Sequence, residues 1–141
     1  MEKILIDAEN LVFGRVASIA AQKALQGTEV NIVNSEKTIL SGTKEFVLKK
    51  FRRWINMRGK GNPEKGPQYS RMPDKILRTA IRKMLPKTTR GEKALERVKV
   101  FIGFPEEFKK QATAEMQAAV PKNLQKSVVL GEACRLLGAR W

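Results

Sequence analysis

The sequence of 141 residues predicts an α/β protein, and three observations support this class. A wholly apolar run at residues 4–6 is typical of a strand that is covered on both faces, as in a parallel sheet. A stretch with helical periodicity follows this run, and an alternating strand pattern comes next. Because a strand, a helix and a second strand in this order form a right-handed crossover, we expect the chain to begin with a βαβ unit.

The helix of this unit is predicted at residues 14–26. Polar residues recur there at three- and four-residue steps on one stripe, and alanines fill much of the remaining surface, which favours close packing against a sheet. Gly27 stands where a left-handed cap would end the helix. Residues 29–33 then alternate in the manner of a second strand.

A two-faced helix is predicted at residues 44–56, after a third short strand at residues 38–40. Ser41, Gly42 and Thr43 supply capping residues at its start. One side is apolar and is expected to cover the sheet, so the outer surface of the helix is cationic. The apolar stripe contains Val47, Leu48, Phe51, Trp54 and Ile55, and the other side carries Lys49, Lys50, Arg52 and Arg53.

Residues 57–72 have too few apolar side chains to fold by themselves. The stretch contains three glycines, two prolines and four basic residues against one acid. This composition predicts a loop that becomes ordered on its binding partner.

The next elements are two helices and a late strand. Pro73 and Asp74 begin the first of these helices, and Pro86 stops it. A short helix at residues 90–97 leads into a strand at residues 98–102. The outward-facing residues of the first helix are predicted to be Lys75, Arg78, Arg82 and Lys83.

The chain is predicted to consist of a core, residues 1–105, and a C-terminal extension, residues 106–141. The extension begins with two glutamates typical of a helix start and continues with a segment rich in alanine, glutamine and lysine. It ends in a strand-like run at residues 127–130 and a helix at residues 131–137.

Positive charge is concentrated in the middle of the chain. Of the net charge of +14, residues 49–90 contribute +12, because 14 basic residues stand there against only Glu64 and Asp74. The other residues contribute +2. A solvated surface normally mixes both signs of charge, so this segment predicts a face that binds a polyanion, for which nucleic acid is the first choice.

The composition excludes several other functions. The chain has no histidine and a single cysteine, Cys134, which argue against an internal disulfide framework, a metal site and histidine chemistry. Cys134 is expected to be a small buried group. An acid follows the first apolar run too early for a secretory signal, and no apolar run reaches the length of a membrane span, so a cytosolic protein is expected.

No catalytic constellation or cofactor motif is present. The turn after the first strand contains only Gly14 and lacks the glycine patterns that hold dinucleotides or nucleoside triphosphates. Asp7 and Glu9 are interpreted as turn and capping residues. We therefore predict a protein that is not an enzyme and has no cofactor; a nucleotide-dependent enzyme remains the least favoured alternative.

Two aromatic residues lie within the basic segment. Trp54 belongs to an apolar helical stripe and is predicted to be part of the core. Tyr69 lies in the polar loop without helical partners and is the better candidate for stacking on an unpaired base. A helix at residues 44–56 that lies on an anionic membrane is a further alternative, but its apolar stripe is needed to cover the sheet.

The order of elements and a series of short motifs resemble large-subunit ribosomal protein thirteen, a universal ribosomal protein, in its archaeal and eukaryotic form. Each motif alone is weak, whereas their joint order along the chain is highly specific. The motifs are Ile6-Asp7-Ala8-Glu9-Asn10, Gly14-Arg15-Val16-Ala17-Ser18, Val33-Asn34-Ser35-Glu36-Lys37, Ser41-Gly42, Lys65-Gly66-Pro67, Met72-Pro73-Asp74, Arg82-Lys83-Met84-Leu85-Pro86, Arg90-Gly91, Ala94-Leu95, Val100-Phe101-Ile102-Gly103 and Pro105.

The resemblance implies a three-layer α/β/α core with a mostly parallel four-stranded sheet. It also implies a non-catalytic constituent of the large ribosomal subunit that binds large-subunit rRNA and supports early subunit assembly in the cytoplasm. Neighbouring ribosomal proteins are the other expected partners, with no homo-oligomer and no membrane. An architectural nucleic-acid-binding protein outside the ribosome is the alternative.

The candidate RNA-binding residues come from the basic helices and the loop between them. The family often has glycine where this chain has Lys83, so a close backbone approach there is not carried over to this chain. A side-chain contact to phosphate is the alternative at this position. The full set is Lys49, Lys50, Arg52, Arg53, Arg58, Lys60, Lys65, Tyr69, Arg71, Arg78, Arg82, Lys83, Lys87 and Arg90.

Overall fold

A computed structural model describes residues 1–57, 59–122 and 124–141 of the chain. These residues form five strands and five α-helices. In chain order they are β1 (Lys3–Asp7), α1 (Phe13–Leu25), β2 (Glu29–Val33), β3 (Ile39–Ser41), α2 (Lys44–Ile55), α3 (Pro73–Met84), α4 (Thr89–Glu96), β4 (Val98–Val100), β5 (Ser127–Val129) and α5 (Leu130–Leu136).

The centre of the fold is a parallel sheet in which β2 lies between β1 and β4. Ile6 of β1 is opposite Ile32 of β2, and Ile32 is opposite Val100 of β4. The predicted βαβ unit and the α/β class are confirmed. Gly27 ends the turn after α1 with φ +97°, as the prediction of a left-handed cap requires.

Helices α1, α3 and α4 cover one face of this sheet. The alanines of α1, including Ala17, Ala20 and Ala24, are completely buried, and these small side chains allow the helix backbone to approach the sheet closely. The other buried members of the cluster include Ile6, Val30, Ile32, Leu77, Ile81, Ala94 and Val98.

The opposite face of the sheet is covered mainly by aromatic side chains that follow β4. Leu5 and Val33 point to this face and pack with Phe108, and Phe101 and Phe104 lie around them. Phe108 belongs to a single 3₁₀ turn, Glu106–Phe108. The predicted helix start at residue 106 therefore produces one turn, which serves as cover for the sheet.

The sheet has three strands where the resemblance implied four. The third predicted strand exists as β3, but it pairs antiparallel with β5, so that Leu40 is opposite Val128. Asn34 follows β2 with a left-handed φ of 54°, and a 3₁₀ turn, Ser35–Lys37, then redirects the chain away from the parallel sheet. The periodicity of a segment does not show which distant segment it pairs with, so the sequence did not predict the pairing of β3 with β5.

The C-terminal residues contribute buried side chains to the rest of the fold. Leu130, Ala133 and Cys134 pack against Val47 and Phe51 of α2 in a second cluster. Cys134 is buried as predicted. The boundary between a core and an extension at residue 105 stays a prediction.

The loop between α2 and α3 is irregular except for one 3₁₀ turn, Pro63–Lys65. The Asn62 side chain accepts a hydrogen bond from the backbone N–H of Glu64 at 3.1 Å and caps this turn. The predicted loop is confirmed within the described residues, and its ordering on a partner stays a prediction. None of the helices described is both long and apolar enough to cross a membrane.

Candidate nucleic-acid interface

Helix α2 presents the first group of predicted cations. Thr43 caps the helix, because its hydroxyl accepts a hydrogen bond from the backbone N–H of Phe46 at 3.3 Å. Val47 and Phe51 are buried on the inner side. The opposite side is exposed at Lys49, Lys50, Arg52 and Arg53.

Helix α3 presents the second group. Its first residue is Pro73, and Leu77 and Ile81 are fully buried against the sheet and α1. These anchors fix the rotation of the helix about its axis, so the residues at the intervening positions point to solvent. The exposed cations here are Arg78, Arg82 and Lys83 on α3, Lys87 in the turn that follows it, and Arg90 in the first turn of α4.

The position of Lys87 and Arg90 depends on a close approach between two backbone segments. A Cβ atom on Gly91 would lie 1.9 Å from the carbonyl oxygen of Pro86. Glycine therefore permits the first turn of α4 to pack against the end of the α3 segment. This contact explains physically why Gly91 follows Arg90 in one of the motifs.

The cations between residues 49 and 90 are not neutralised by the protein's own acids. The salt bridges of the described residues join Lys3 and Lys99 to Glu29, Lys37 to Glu9, Lys44 to Glu132 and Lys109 to Glu106. All of these lysines lie outside the basic segment. The lysines and arginines described within it have no salt-bridge partner, so the local excess of positive charge predicted from sequence persists in the folded protein.

The pKa shifts of the charged side chains belong to the paired groups. Hydrogen bonding and attraction by Lys3 lower the pKa of Glu29, and Lys99 adds to the effect. A hydrogen bond from Lys37 to Glu9 raises the pKa of Lys37. All of these paired groups lie outside residues 49–90.

Trp54 is the centre of a small aromatic and cationic cluster beside α2. Its ring packs edge-on against Phe51, with 5.6 Å between ring centroids. Lys50 Nζ lies 5.2 Å from the centroid of the indole, and Lys83 Nζ lies 5.1 Å from it. Trp54 is half-buried and packs against the second apolar cluster, in agreement with the prediction of a core position.

Tyr69 differs from its prediction in one respect, because it has a helical partner. Its ring stacks on Trp54 with 6.2 Å between centroids and an interplanar angle of 21°. The contact is invisible in the sequence, since the loop that joins the two residues has no periodicity. Its role in RNA binding stays a prediction.

The other predicted loop residues are exposed where they are described. Lys60, Lys65 and Arg71 point to solvent, and Arg58 lies outside the described residues. The list of candidate RNA-binding residues omitted two exposed residues of the neighbouring helices, Lys75 of α3 and Phe46 of α2. The sequence could have indicated them, because Lys75 lies within the basic segment and Phe46 is an aromatic residue outside the apolar stripe of its helix.

The part of the chain that the structure describes contains no group of three or more His, Cys, Asp or Glu residues that could hold a metal ion. Asp7 instead holds a turn, because its carboxylate accepts hydrogen bonds from Asn34 Nδ2 at 2.9 Å and from the Glu9 N–H at 3.0 Å. This agrees with the prediction of a turn residue.

Comparison with known families identifies the chain. The family model described as ribosomal protein L13 matches residues 1–107. The chain belongs to the ribosomal protein L13 family. The resemblance seen in the sequence motifs is thereby confirmed, and membership of this family agrees with the prediction that the chain is not an enzyme.

The relatives are archaeal and match over nearly their whole length. The large ribosomal subunit protein uL13 of Methanosphaera stadtmanae is 40% identical over 139 residues, covering 97% of this chain and 98% of that protein. The protein of the same name from Methanococcus maripaludis is 39% identical, covering 98% and 99% respectively. That from Picrophilus torridus is 38% identical, covering 96% of each chain. The archaeal type predicted from the ribosomal protein L13 motifs agrees with these matches.

Proposed function

We propose that this member of the ribosomal protein L13 family is a structural constituent of the large ribosomal subunit that binds large-subunit rRNA and supports early subunit assembly. The relatives named as large-subunit proteins support the first part of the proposal. The observation that supports the second part is the exposed basic face on α2, α3 and the loop between them, which lacks internal salt bridges among the described residues.

The mechanism is electrostatic. Where several RNA helices converge, repulsion between their phosphates opposes compaction, and clustered cations reduce that repulsion. Arginine also binds phosphate through two parallel N–H donors. Folded RNA is recognised mainly through its shape and backbone, so this face requires no sequence-specific readout.

Neutralising the outer side of α2 tests the proposal. Replacing Lys49, Lys50, Arg52 and Arg53 together by glutamine should leave the fold intact, because all four side chains are exposed. Association with large-subunit rRNA, measured by filter binding at a fixed salt concentration, should weaken strongly. Each lost phosphate contact removes one released counterion, so the slope of log affinity against log salt should become shallower by about 3 to 4.

A control variant separates local charge from total charge. It replaces four exposed lysines beyond the basic segment, Lys109, Lys110, Lys122 and Lys126, by glutamine and has the same net charge as the α2 variant. We expect it to retain most of the rRNA affinity. Equal loss in both variants, or unchanged binding in the α2 variant, would contradict the assignment of the interface.

Sedimentation tests the role in assembly. Tagged protein from a lysate of the source organism should co-sediment with large-subunit rRNA, both in mature subunits and in lighter precursor particles. Its absence from the precursors would contradict an early role.

A competition measurement tests the alternative outside the ribosome. Duplex DNA at equal nucleotide concentration should compete poorly with rRNA for the protein. Equal competition would favour an architectural protein that acts outside the ribosome.

A further inference from the structure

A groove lies between α2, α3 and the end of the loop that joins them, and we name it the aromatic groove. Its volume is about 380 Å³, which lies within the range of sites for small ligands. The floor includes Val47, Phe51 and Ile76, and the walls are aromatic and cationic. The wall residues used below are Phe46, Lys50, Trp54, Gln68, Tyr69 and Lys83.

The aromatic walls offer flat π surfaces next to solvent. Phe46 is 61% exposed although it is a large apolar residue on a well-formed helix. Trp54 and Tyr69 are half-buried and stacked on each other, so together they form one continuous aromatic surface. Every nucleobase has a π face, and stacking on such side chains is the general way in which proteins hold unpaired bases.

The cations of the groove lie around the same aromatic surface. Lys50 and Lys83 come from different helices, yet both ammonium groups lie about 5 Å from the centroid of Trp54. Neither lysine has a salt-bridge partner among the described residues. A phosphate group bound at the groove would supply the counter-charge that these lysines lack and would accept hydrogen bonds from their ammonium groups.

We propose that the aromatic groove binds one unpaired nucleotide of the RNA, with its base against the aromatic walls and its phosphate bound by the lysines of the groove, Lys50 and Lys83. The inference rests on the proposed function and adds to it a single-nucleotide site within the cationic face. Gln68 is also a lining residue of the groove, and a glutamine amide has both donors and an acceptor for the edge of a base. An apolar side chain of a protein partner would use the floor but would leave the two lysines without a counter-charge.

Tryptophan fluorescence gives a direct test. The chain has two tryptophans, and the variant Trp141→Phe leaves Trp54 as the only reporter. The probes are a short single-stranded oligoadenylate and an abasic oligomer of the same length and charge. We expect the oligoadenylate to quench Trp54 and to bind at least about fivefold more tightly than the abasic oligomer. This ratio should change little with salt, because both oligomers release the same counterions.

Substitutions in the walls identify the side chains responsible. In the Trp141→Phe background, Phe46→Ala and Tyr69→Ala should bring the affinity ratio close to one, whereas Tyr69→Phe should preserve it. The control is Val129→Ala, which truncates an exposed apolar residue on β5 outside the groove. Circular dichroism of each variant checks the fold, and Phe46→Ala is the critical case because its side chain is mainly exposed.

The outcomes distinguish the groove from the wider interface. Equal affinity for the two oligomers, with unchanged Trp54 fluorescence, would overturn the nucleotide site while leaving the dependence of rRNA binding on the α2 cations intact. A ratio that Phe46→Ala and Tyr69→Ala do not reduce would also overturn it. Loss of the proposed function would appear instead as rRNA binding that is insensitive to the neutralised α2 variant.

Discussion

Individual motif residues mostly hold turns of the fold in place. Asn34 adopts a left-handed conformation and donates its side-chain amide to Asp7. The Glu36 carboxylate accepts a hydrogen bond from the Gly103 N–H at 2.9 Å, which ties the turn after β2 to the turn after β4. The motifs that reveal the family therefore report backbone geometry, whereas the cations of the candidate interface lie mainly between them.

Replacing Gly91 by alanine should destabilise the protein. The new methyl group would lie 1.9 Å from the Pro86 carbonyl oxygen, so the backbone at one of these two residues must move. The expected loss in the free energy of unfolding is about 1–3 kcal/mol or more, measured by urea denaturation. Gly14→Ala is the matched control, because its Cβ would meet nothing within 4 Å and alanine favours a helix. Equal stability of the two variants would contradict the close approach.

Cys134 should make stability depend on pH in the alkaline range. Burial raises the pKa of its thiol from 9.0 to about 12, and the charge of Asp74 adds to this shift. Between these values the folded protein keeps the proton and the unfolded chain loses it. The contribution of the thiol is therefore fully present below pH 9 and is lost as pH rises toward 12.

The comparison of wild type with Cys134→Ala isolates this contribution. Urea unfolding at a series of pH values from neutral to alkaline should show a steeper decline in the wild type above pH 9. All other ionisable groups are common to both proteins, so the difference between the two curves reports the thiol. Parallel curves would show that the thiol remains accessible to water.

At the scale of single elements, the two basic helices combine burial and exposure in the same few turns. Helix α2 buries Val47 and Phe51, and α3 buries Leu77 and Ile81, while cations occupy the outer positions. Packing fixes the direction in which these cations point. The two helices therefore determine where these side chains leave the backbone, although none of the cations described between residues 49 and 90 has a salt-bridge partner.

The loop between these helices should be protected from amide exchange only when RNA is bound. Within its described part, the backbone hydrogen bonds are short-range ones such as Lys65 N–H to Asn62 C=O at 3.2 Å. In the free protein we expect amides at residues 59–66 to exchange rapidly, while those of α1 are protected. Binding to large-subunit rRNA should slow exchange in this segment. Strong protection in the free protein would contradict a loop that RNA orders.

At the scale of the whole molecule, charge and packing are divided between regions. Residues 49–90 carry +12 of the net charge of +14, and the remainder is almost balanced. Lysines of β1, β4 and the C-terminal segment pair with glutamates, and these salt bridges lie outside the basic segment. The molecule therefore has one cationic face on a nearly neutral scaffold.

This division predicts a steep dependence of RNA binding on salt. If about half of the 14 basic residues in the segment contact phosphates, the slope of log affinity against log salt should be on the order of −5 to −6. A titration of the wild-type protein with rRNA at several salt concentrations measures it. A slope near −1 would mean that few of these cations reach the RNA backbone.

Much of the local structure followed from the sequence. The helix predicted at residues 44–56 is α2 (Lys44–Ile55), and the strand predicted at residues 29–33 is β2 (Glu29–Val33). Periodicity and capping residues determine such elements because they depend on neighbours within a few turns of the chain. The charge asymmetry was also available, since it depends only on where the charged residues stand in the sequence.

Only the tertiary structure decided which distant segments meet. The pairing of β3 with β5, the cover of the sheet by Phe108 and the stacking of Tyr69 on Trp54 all join residues that no local pattern relates. The sequence shows that cations and aromatic residues share residues 49–90. Helices α2 and α3 both pack against α5, and this arrangement places Lys50 and Lys83 beside one indole ring and forms the groove between them, because side chains meet through the fold and not through their order in the chain.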